Sequence, residues 1–87
     1  MSNFKGRAIL LITAAGEQSD VEEIRRKTLA ALAPFTLHVR ENQSICLAGR
    51  LILAIDLDCD PVHVSAIEDD VRNVLSSHKC DVASEVI

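Results

Sequence analysis

The most constraining feature of the chain is an apolar run, a polar turn and an amphipathic segment in direct succession between Arg7 and Phe35. The run Ala8 to Ala14 (AILLITA) is almost continuously aliphatic, which predicts a strand buried on both faces in the middle of a sheet. Residues 15–19 (AGEQS) lack large apolar side chains and contain a glycine, so the chain must turn there before a helix begins. A strand that ends at a helix N-terminus leaves free backbone N–H groups, and a small anionic or zwitterionic ligand would bind there.

The segment from about Asp20 to Ala33 has the apolar spacing of a helix that covers one face of a sheet. Ser19 and Glu22 have the separation of a capping box, and Pro34 follows the predicted end of the helix. The stripe predicted to face the sheet consists of Val21, Ile24, Thr28, Leu32 and Phe35.

The rest of the chain contains two more apolar strands and a second helix. Residues 36–47 (TLHVRENQSICL) predict an edge strand, bulged at its polar middle, and residues 48–50 (AGR) predict the turn of a hairpin. Residues 51–57 (LILAIDL) then return as a central strand. Asp60-Pro61 is a capped helix start, helical spacing continues to His78, and residues 80–87 alternate as a second edge strand.

The predicted element order is β-α-β-β-α-β, with two halves of similar length at 7–47 and 50–87. With right-handed crossovers and the two most apolar strands central, the predicted fold class is α+β, a ferredoxin-like sandwich. Its four-stranded antiparallel sheet has the order 4-1-3-2, and both helices lie on one face. We expect a flexible lead at 1–6 and a single domain at 7–87. The uncovered face of the sheet is predicted to be apolar and to meet a partner.

Composition argues against several classes of partner. A formal charge of −4 and scattered basic residues argue against nucleic-acid binding. No apolar segment approaches the roughly 20 residues that span a bilayer, and no signal-peptide core is present. Three widely spaced cysteines suit reduced thiols better than a disulfide framework. We therefore expect a cytoplasmic protein without nucleic-acid or membrane partners.

Catalytic and metal-binding patterns are weak. The aspartates between Asp56 and Asp60 are spaced two apart like the start of a calcium loop, but Pro61 occupies the position that needs glycine. The three histidines lack the spacing of zinc ligands, and Cys59 has only His63 nearby as a base. We therefore predict no catalytic residue, no metal, no cofactor and no enzymatic activity in this chain alone.

The ferredoxin-like fold hosts unrelated functions, so the residues must discriminate among them. An RNA-recognition domain needs stacking aromatics on its central strands, and AILLITA and LILAIDL contain none. An acylphosphatase-like enzyme needs an arginine in the phosphate-binding turn after the first strand, and a metallochaperone needs C-x-x-C there. The turn AGEQS supplies neither, which argues against the second and third functions as the strands argue against the first.

Residues 9–32 (ILLITAAGEQSDVEEIRRKTLAAL), the strand HVREN and the segment LILAIDLDCDP with its following helix resemble ACT domains. These are small ferredoxin-like regulatory modules that bind amino acids at an interface between two copies. The chain looks most like the N-terminal ACT module of bacterial phosphoserine phosphatases, where T-G-x-D-x-P-G-V opens the first helix and the closing helix is similar to AIEDDVRNVL. With Val21 aligned to the valine of that motif, Asp20 replaces its glycine and Ser19 its proline.

The resemblance implies a non-catalytic regulatory module that forms a homodimer, through strand edges or the open sheet face, and binds a small, serine-like amino acid. It also implies a link to amino-acid metabolism such as serine biosynthesis, and a catalytic domain or protein as partner, as in a phosphoserine phosphatase whose catalytic part would lie beyond Ile87. Asp20 would repel a ligand carboxylate but could meet an ammonium group, so the alternative is a dimerisation or docking module that has lost its ligand. The ligand-binding residues that the resemblance implies are Ala15, Gly16, Glu17, Gln18, Ser19, Asp20, Val21 and His38.

Overall fold

The computed structural model describes residues 6–87 and contains the predicted succession βαββαβ. The strands are β1 (Gly6–Ala15), β2 (Leu37–Leu47), β3 (Arg50–Cys59) and β4 (Asp81–Val86), and the helices are α1 (Gln18–Leu32) and α2 (Val64–Val74). The sheet is antiparallel in the order β2-β3-β1-β4, which confirms the predicted ferredoxin-like fold class and strand order. The expected flexible lead lies outside the described residues, except for Gly6, which opens β1.

The position of β1 in the sheet was predicted correctly, but its burial was not. β1 pairs with β3 on one side and β4 on the other, so it is central. Only alternate side chains are buried, namely Ala8, Leu10, Ile12 and Ala14. Ile9 and Leu11 point to the other face and are 36% and 38% exposed. The physical reason is that both helices cover the same face, so the opposite face has no second layer.

The core lies between the covered face of the sheet and the two helices. The predicted stripe of α1 is confirmed from Val21 to Leu32, while Phe35 is half-buried. Helix α2 contributes Ile67 and Val71, and Leu75 follows directly after it. These side chains pack on alternate residues of β3, which are Leu51, Leu53, Ile55 and Leu57.

The two edge strands differ in length and regularity. β2 has a bulge between Val39 and Glu41, where Arg40 is the extra residue, as the polar interruption of this strand predicted. β2 joins β3 through Ala48 and Gly49, whose φ angles are +51° and +73°. β4 is only six residues long.

The second helical segment begins with the predicted cap. The Val62 amide donates to the Asp60 carboxylate at 3.1 Å, and Pro61 follows Asp60 where its missing N–H is harmless. The first turn, Pro61–His63, is a 3₁₀ helix, so α2 itself starts at Val64. Within residues 6–87, neither helix is long and apolar enough to cross a membrane.

Two valines of α2 give a matched test of the one-sided core. Val71 is fully buried and Val74 is 41% exposed. We expect Val71→Ala to lower the free energy of unfolding by about 1 to 3 kcal/mol through lost burial and a residual cavity. Val74→Ala should change it by less than about 0.5 kcal/mol. Urea unfolding measures both, and equal losses would contradict the placement of α2.

The hairpin turn predicts a stabilising substitution. Ala48 is held in the left-handed region, which costs an L-residue other than glycine about 1 kcal/mol. Asparagine tolerates this conformation and favours the two-residue hairpin turn when glycine follows. Ala48→Asn should therefore raise the free energy of unfolding by about 0.5 to 1 kcal/mol. A loss of stability in urea unfolding would show that another contact, and not the backbone conformation, determines which residue is favoured at position 48.

Candidate functional site

The turn between β1 and α1 is packed against the β2–β3 hairpin. The Gly16 amide donates to the Gly49 carbonyl at 2.9 Å. A Cβ atom at position 16 would lie 2.9 Å from a carboxylate oxygen of Asp20 and 3.1 Å from Leu51. Close approach to these two residues therefore explains the glycine without any ligand.

Helix α1 begins two residues earlier than predicted, because its cap is built from a different pair of residues. The Glu17 amide donates to Asp20 Oδ2 at 2.8 Å, and the Asp20 amide donates to the Glu17 carbonyl at 2.9 Å. The predicted capping box of Ser19 and Glu22 is wrong. Ser19 lies inside the first turn, and Glu22 pairs with Arg25. Both pairs have the same three-residue separation, so spacing alone did not distinguish them.

The N-terminus of α1 therefore already holds an anion from its own chain. The amides of Gly16, Glu17 and Asp20 are all bonded within the chain, so fewer N–H groups are free than the sequence predicted. The Asp20 carboxylate lies where the helix dipole would attract a ligand carboxylate. This arrangement repels a second anion and leaves a negative group that an ammonium group could meet.

The space under the start of α1 is too small for an amino acid. A narrow cavity of about 10 Å³ lies there, between the helix and the sheet. One water molecule needs about 10 to 15 Å³. The cavity is almost entirely apolar, and its lining is Ile12, Ala14, Val21, Ile24, Ser44, Leu51, Ile52 and Leu53.

The structure brings together seven of the eight residues predicted to bind a ligand. Ala15 ends β1, Gly16 and Glu17 form the turn, and the following residues open α1, namely Gln18, Ser19, Asp20 and Val21. Val21 is only 3% exposed and belongs to the core, so its side chain faces away from the turn. The other residues in this group are exposed, apart from the half-buried Gly16.

His38 lies far from this turn within the same chain. It pairs with Asp58 near the end of β3, whereas Ala15 pairs with Arg50 at the start of β3. The separation of eight positions between Arg50 and Asp58 corresponds to about 27 Å along an extended strand. His38 is therefore separated from Gly16 in one chain, because the register of the hairpin places the start of β2 at the opposite end of the sheet.

Two contacts beside the turn involve residues that the sequence analysis did not single out. Arg25 of α1 donates to Ser44 Oγ of β2 at 2.7 Å. The Cys46 thiol lies 3.9 Å from the Gly16 carbonyl oxygen. Both contacts join elements that are far apart in sequence, so no helical or strand periodicity signals them.

The three closely spaced aspartates, Asp56, Asp58 and Asp60, make contacts that stabilise the fold. Arg7 donates to both carboxylate oxygens of Asp56, at 2.9 and 2.6 Å, and Arg40 lies 3.3 Å from Asp58. The hydrogen bond from Arg7 holds the pKa of Asp56 below its ordinary value. Asp60 caps the following 3₁₀ helix. Among residues 6–87, no group of three or more His, Cys, Asp or Glu side chains is placed to hold a metal ion.

The two cysteines nearest to carboxylates are poor nucleophiles. Burial raises the pKa of the Cys59 thiol, and the negative charges of Asp60 and Asp58 raise it further. Burial raises the pKa of Cys80 in the same way, together with the charge of Asp81. Since the thiolate is the reactive form, neither cysteine is activated for covalent catalysis.

No family model matches the chain, and no curated protein matches it significantly in sequence. Solved structures do match its fold. An ACT domain protein from Streptococcus pneumoniae matches with a TM-score of 0.70 at 8% identity, over 93% of this chain and 89% of that chain. The regulatory subunit of aspartate kinase from Thermus thermophilus, in a ligand-free form, matches with a TM-score of 0.69 at 14% identity, over 92% and 50%.

A formyltetrahydrofolate deformylase from Burkholderia mallei also matches, with a TM-score of 0.69 at 11% identity, over 92% of this chain and 28% of that chain. The chain thus spans half or less of the length of the deformylase and of the kinase subunit. At these identities the matches establish the fold, which this chain shares with ACT domain proteins. Its function has to be argued from its own residues.

The internal cap at Asp20 gives a stability prediction. Asp20→Ala removes the acceptor of the Glu17 amide and should lower the free energy of unfolding by about 1 kcal/mol. Asp20→Asn keeps an acceptor oxygen and should lower the free energy of unfolding by less than Asp20→Ala does. Asp70→Ala, at an exposed position of α2 without a side-chain hydrogen bond to another described residue, should change stability by less than about 0.5 kcal/mol. Equal stability of Asp20→Ala and the wild type in urea unfolding would contradict the cap.

Proposed function

We propose that this chain is a non-catalytic module of the ACT type that acts by associating with a second copy and regulates a catalytic partner through that association. The observation that carries this proposal is an aliphatic patch on the uncovered face of the sheet. Ile9, Leu11 and Ile52 lie on it and are 36% to 38% exposed, and Ile45 of the edge strand is 57% exposed. An apolar surface of this kind on a small domain favours association, which also supplies stability that the single core lacks.

The association that we propose needs no amino-acid ligand. Asp20 occupies the N-terminus of α1 with a carboxylate of its own, and the cavity behind the turn has room for about one water molecule. A ligand carboxylate would have to approach an existing negative charge there. The geometry of the turn therefore supports the ligand-free alternative better than serine binding.

A second candidate function is an amino-acid sensor in serine metabolism, as a module of a phosphoserine phosphatase with its catalytic part beyond Ile87. The exposed Asp20 carboxylate favours it, because this group could accept the ammonium group of serine. In this function serine binds at residues 15–21, and Asp20→Asn weakens the binding.

Sedimentation velocity distinguishes the two functions. We expect the full chain to be a dimer at micromolar concentration, with a sedimentation coefficient that millimolar serine or any other common amino acid leaves unchanged. Asp20→Asn should behave like the wild type. A dimer that forms only with serine, and is lost in Asp20→Asn, would favour the sensor. A monomer under all conditions would exclude self-association.

A further inference from the structure

The uncovered face of the sheet has a pattern of side chains that is complementary to itself. The strand register arranges this face in rows that run across β2, β3, β1 and β4. The middle row is Gln43, Ala54, Leu11 and Ala83. Leu11 therefore stands between two alanines, with a lower surface on either side.

These lower surfaces are shallow hollows beside a ridge. The hollow over β3, about 200 Å³, is lined by Ile9, Ala54 and Asp56 together with residues of β2. The hollow over β4, about 170 Å³, is lined by Ile9, Leu11 and Ala83 together with their neighbours on β4. Ile9 and Leu11 of β1 form the ridge between them. A surface that carries both a ridge and a hollow can pack against a copy of itself.

We infer that a second copy of this chain packs face to face on the uncovered sheet, about a two-fold axis that runs parallel to the strands between β1 and β3. This inference rests on the proposed function and names the surface that it uses. Rotation about this axis keeps each row at the same level along the strands and reverses the order of the strands across the sheet. It therefore places β1 of each copy over β3 of the other, so that Leu11 enters the hollow at Ala54 of the second copy and Ile52 lies over Thr13.

The charges on the same face agree with this axis. In the row of Asp56, Glu41 is the paired residue on β2 and Glu85 lies on β4. Arg40, the extra residue of the bulge, directly precedes Glu41 and lies 3.8 Å from Asp56 Oδ2. In the described part of the chain Glu85 makes no ion pair, while the side chain of Arg40 is 47% exposed beside Asp58. Because the axis places β2 over β4, the bulge residues Arg40 and Glu41 of each copy lie over Glu85 of the other, and Arg40 is the one with the opposite charge.

The area of the face is sufficient for a specific interface. Four strands at about 4.8 Å spacing and about 30 Å of strand length give about 600 Å² per copy, or about 1,200 Å² in total. Specific protein interfaces begin at about this size. Packed sheets lie about 10 Å apart with their strands within about 30° of each other, so the row pairs remain in reach across the interface.

Association through the sheet edges would use other residues. The bulge in β2 and the polar residues Glu41, Asn42 and Gln43 interrupt one edge, and β4 offers only six residues on the other. Two-fold pairing of either edge with itself does not bring Arg40 to Glu85. Pairing of β2 with β4 of another copy is head-to-tail and would form a ring or an open-ended chain instead of a two-fold dimer.

The first test places a charge on the ridge. Leu11→Glu should weaken the dimer at least about 100-fold, because the added carboxylate would be buried in the partner's hollow beside the carboxylates of Glu41 and Asp56. The control is Val62→Glu, at a position that is 74% exposed and outside the sheet, and it should remain dimeric. Circular dichroism verifies that both variants are folded. Sedimentation velocity over a concentration series gives the dissociation constants.

The second test exchanges charges between copies. Arg40→Glu and Glu85→Arg should each weaken the homodimer about 10-fold, because two like-charge pairs then face each other. An equal mixture of the two variants should restore wild-type affinity, since the heterodimer has two pairs of opposite charge. Within one chain these residues lie on opposite edges of the sheet, about 14 Å apart, so only contact between copies explains the restoration.

The outcomes separate the two proposals. A monomeric wild type overturns the proposed self-association. A dimeric wild type with a dimeric Leu11→Glu variant, or a mixture as weak as its components, overturns the assignment of the face and leaves self-association standing. Loss of the dimer in Leu11→Glu together with restoration in the mixture supports the face-to-face arrangement.

Discussion

The structure depends on the burial of one face of an antiparallel sheet under two helices. Right-handed crossovers bring α1 and α2 to the same side, because each helix joins two parallel strands that have one antiparallel strand between them. Alternate side chains of β1 and β3 then form the core with both helices. The other face of the same two strands carries the aliphatic residues Ile9, Leu11, Ile52 and Ala54, yet the single chain gives them no cover. Core formation and the exposed apolar face therefore have one origin.

Packing on the covered face of the sheet also determines the contacts of the turn after β1. Gly16 lies against Leu51 of the core-facing strand and against Asp20, so the turn is part of the packed structure. The Asp20 carboxylate is tethered three residues from the Glu17 amide that it accepts from. A free ligand must compete with this tethered group, which acts at a high effective concentration. Replacement of the glycine that the resemblance implies at this position thus alters the chemistry of the site while the fold is kept.

The sequence predicted the fold because the aliphatic pattern of β1 and β3 and the stripe from Val21 to Leu32 have only one compact arrangement. The cap of α1 was mispredicted because Glu17–Asp20 and Ser19–Glu22 have the same spacing, and packing against Gly16 decides between them. The distance of His38 from the turn depends on the register of the β2–β3 hairpin, which residue types do not specify. The contact of Arg25 with Ser44 depends on tertiary placement alone.

The wrong prediction that β1 is buried on both faces is relevant to the association of two copies. A run of aliphatic residues predicts burial on both faces, but it does not distinguish a helix from a second copy as the covering layer. If two copies pack face to face, Ile9 and Leu11 become buried and the prediction holds for the dimer. The apolar ridge would then provide most of the affinity. Exposed ion pairs at the border contribute little free energy, so Arg40 and Glu85 would mainly select the orientation of the two-fold axis.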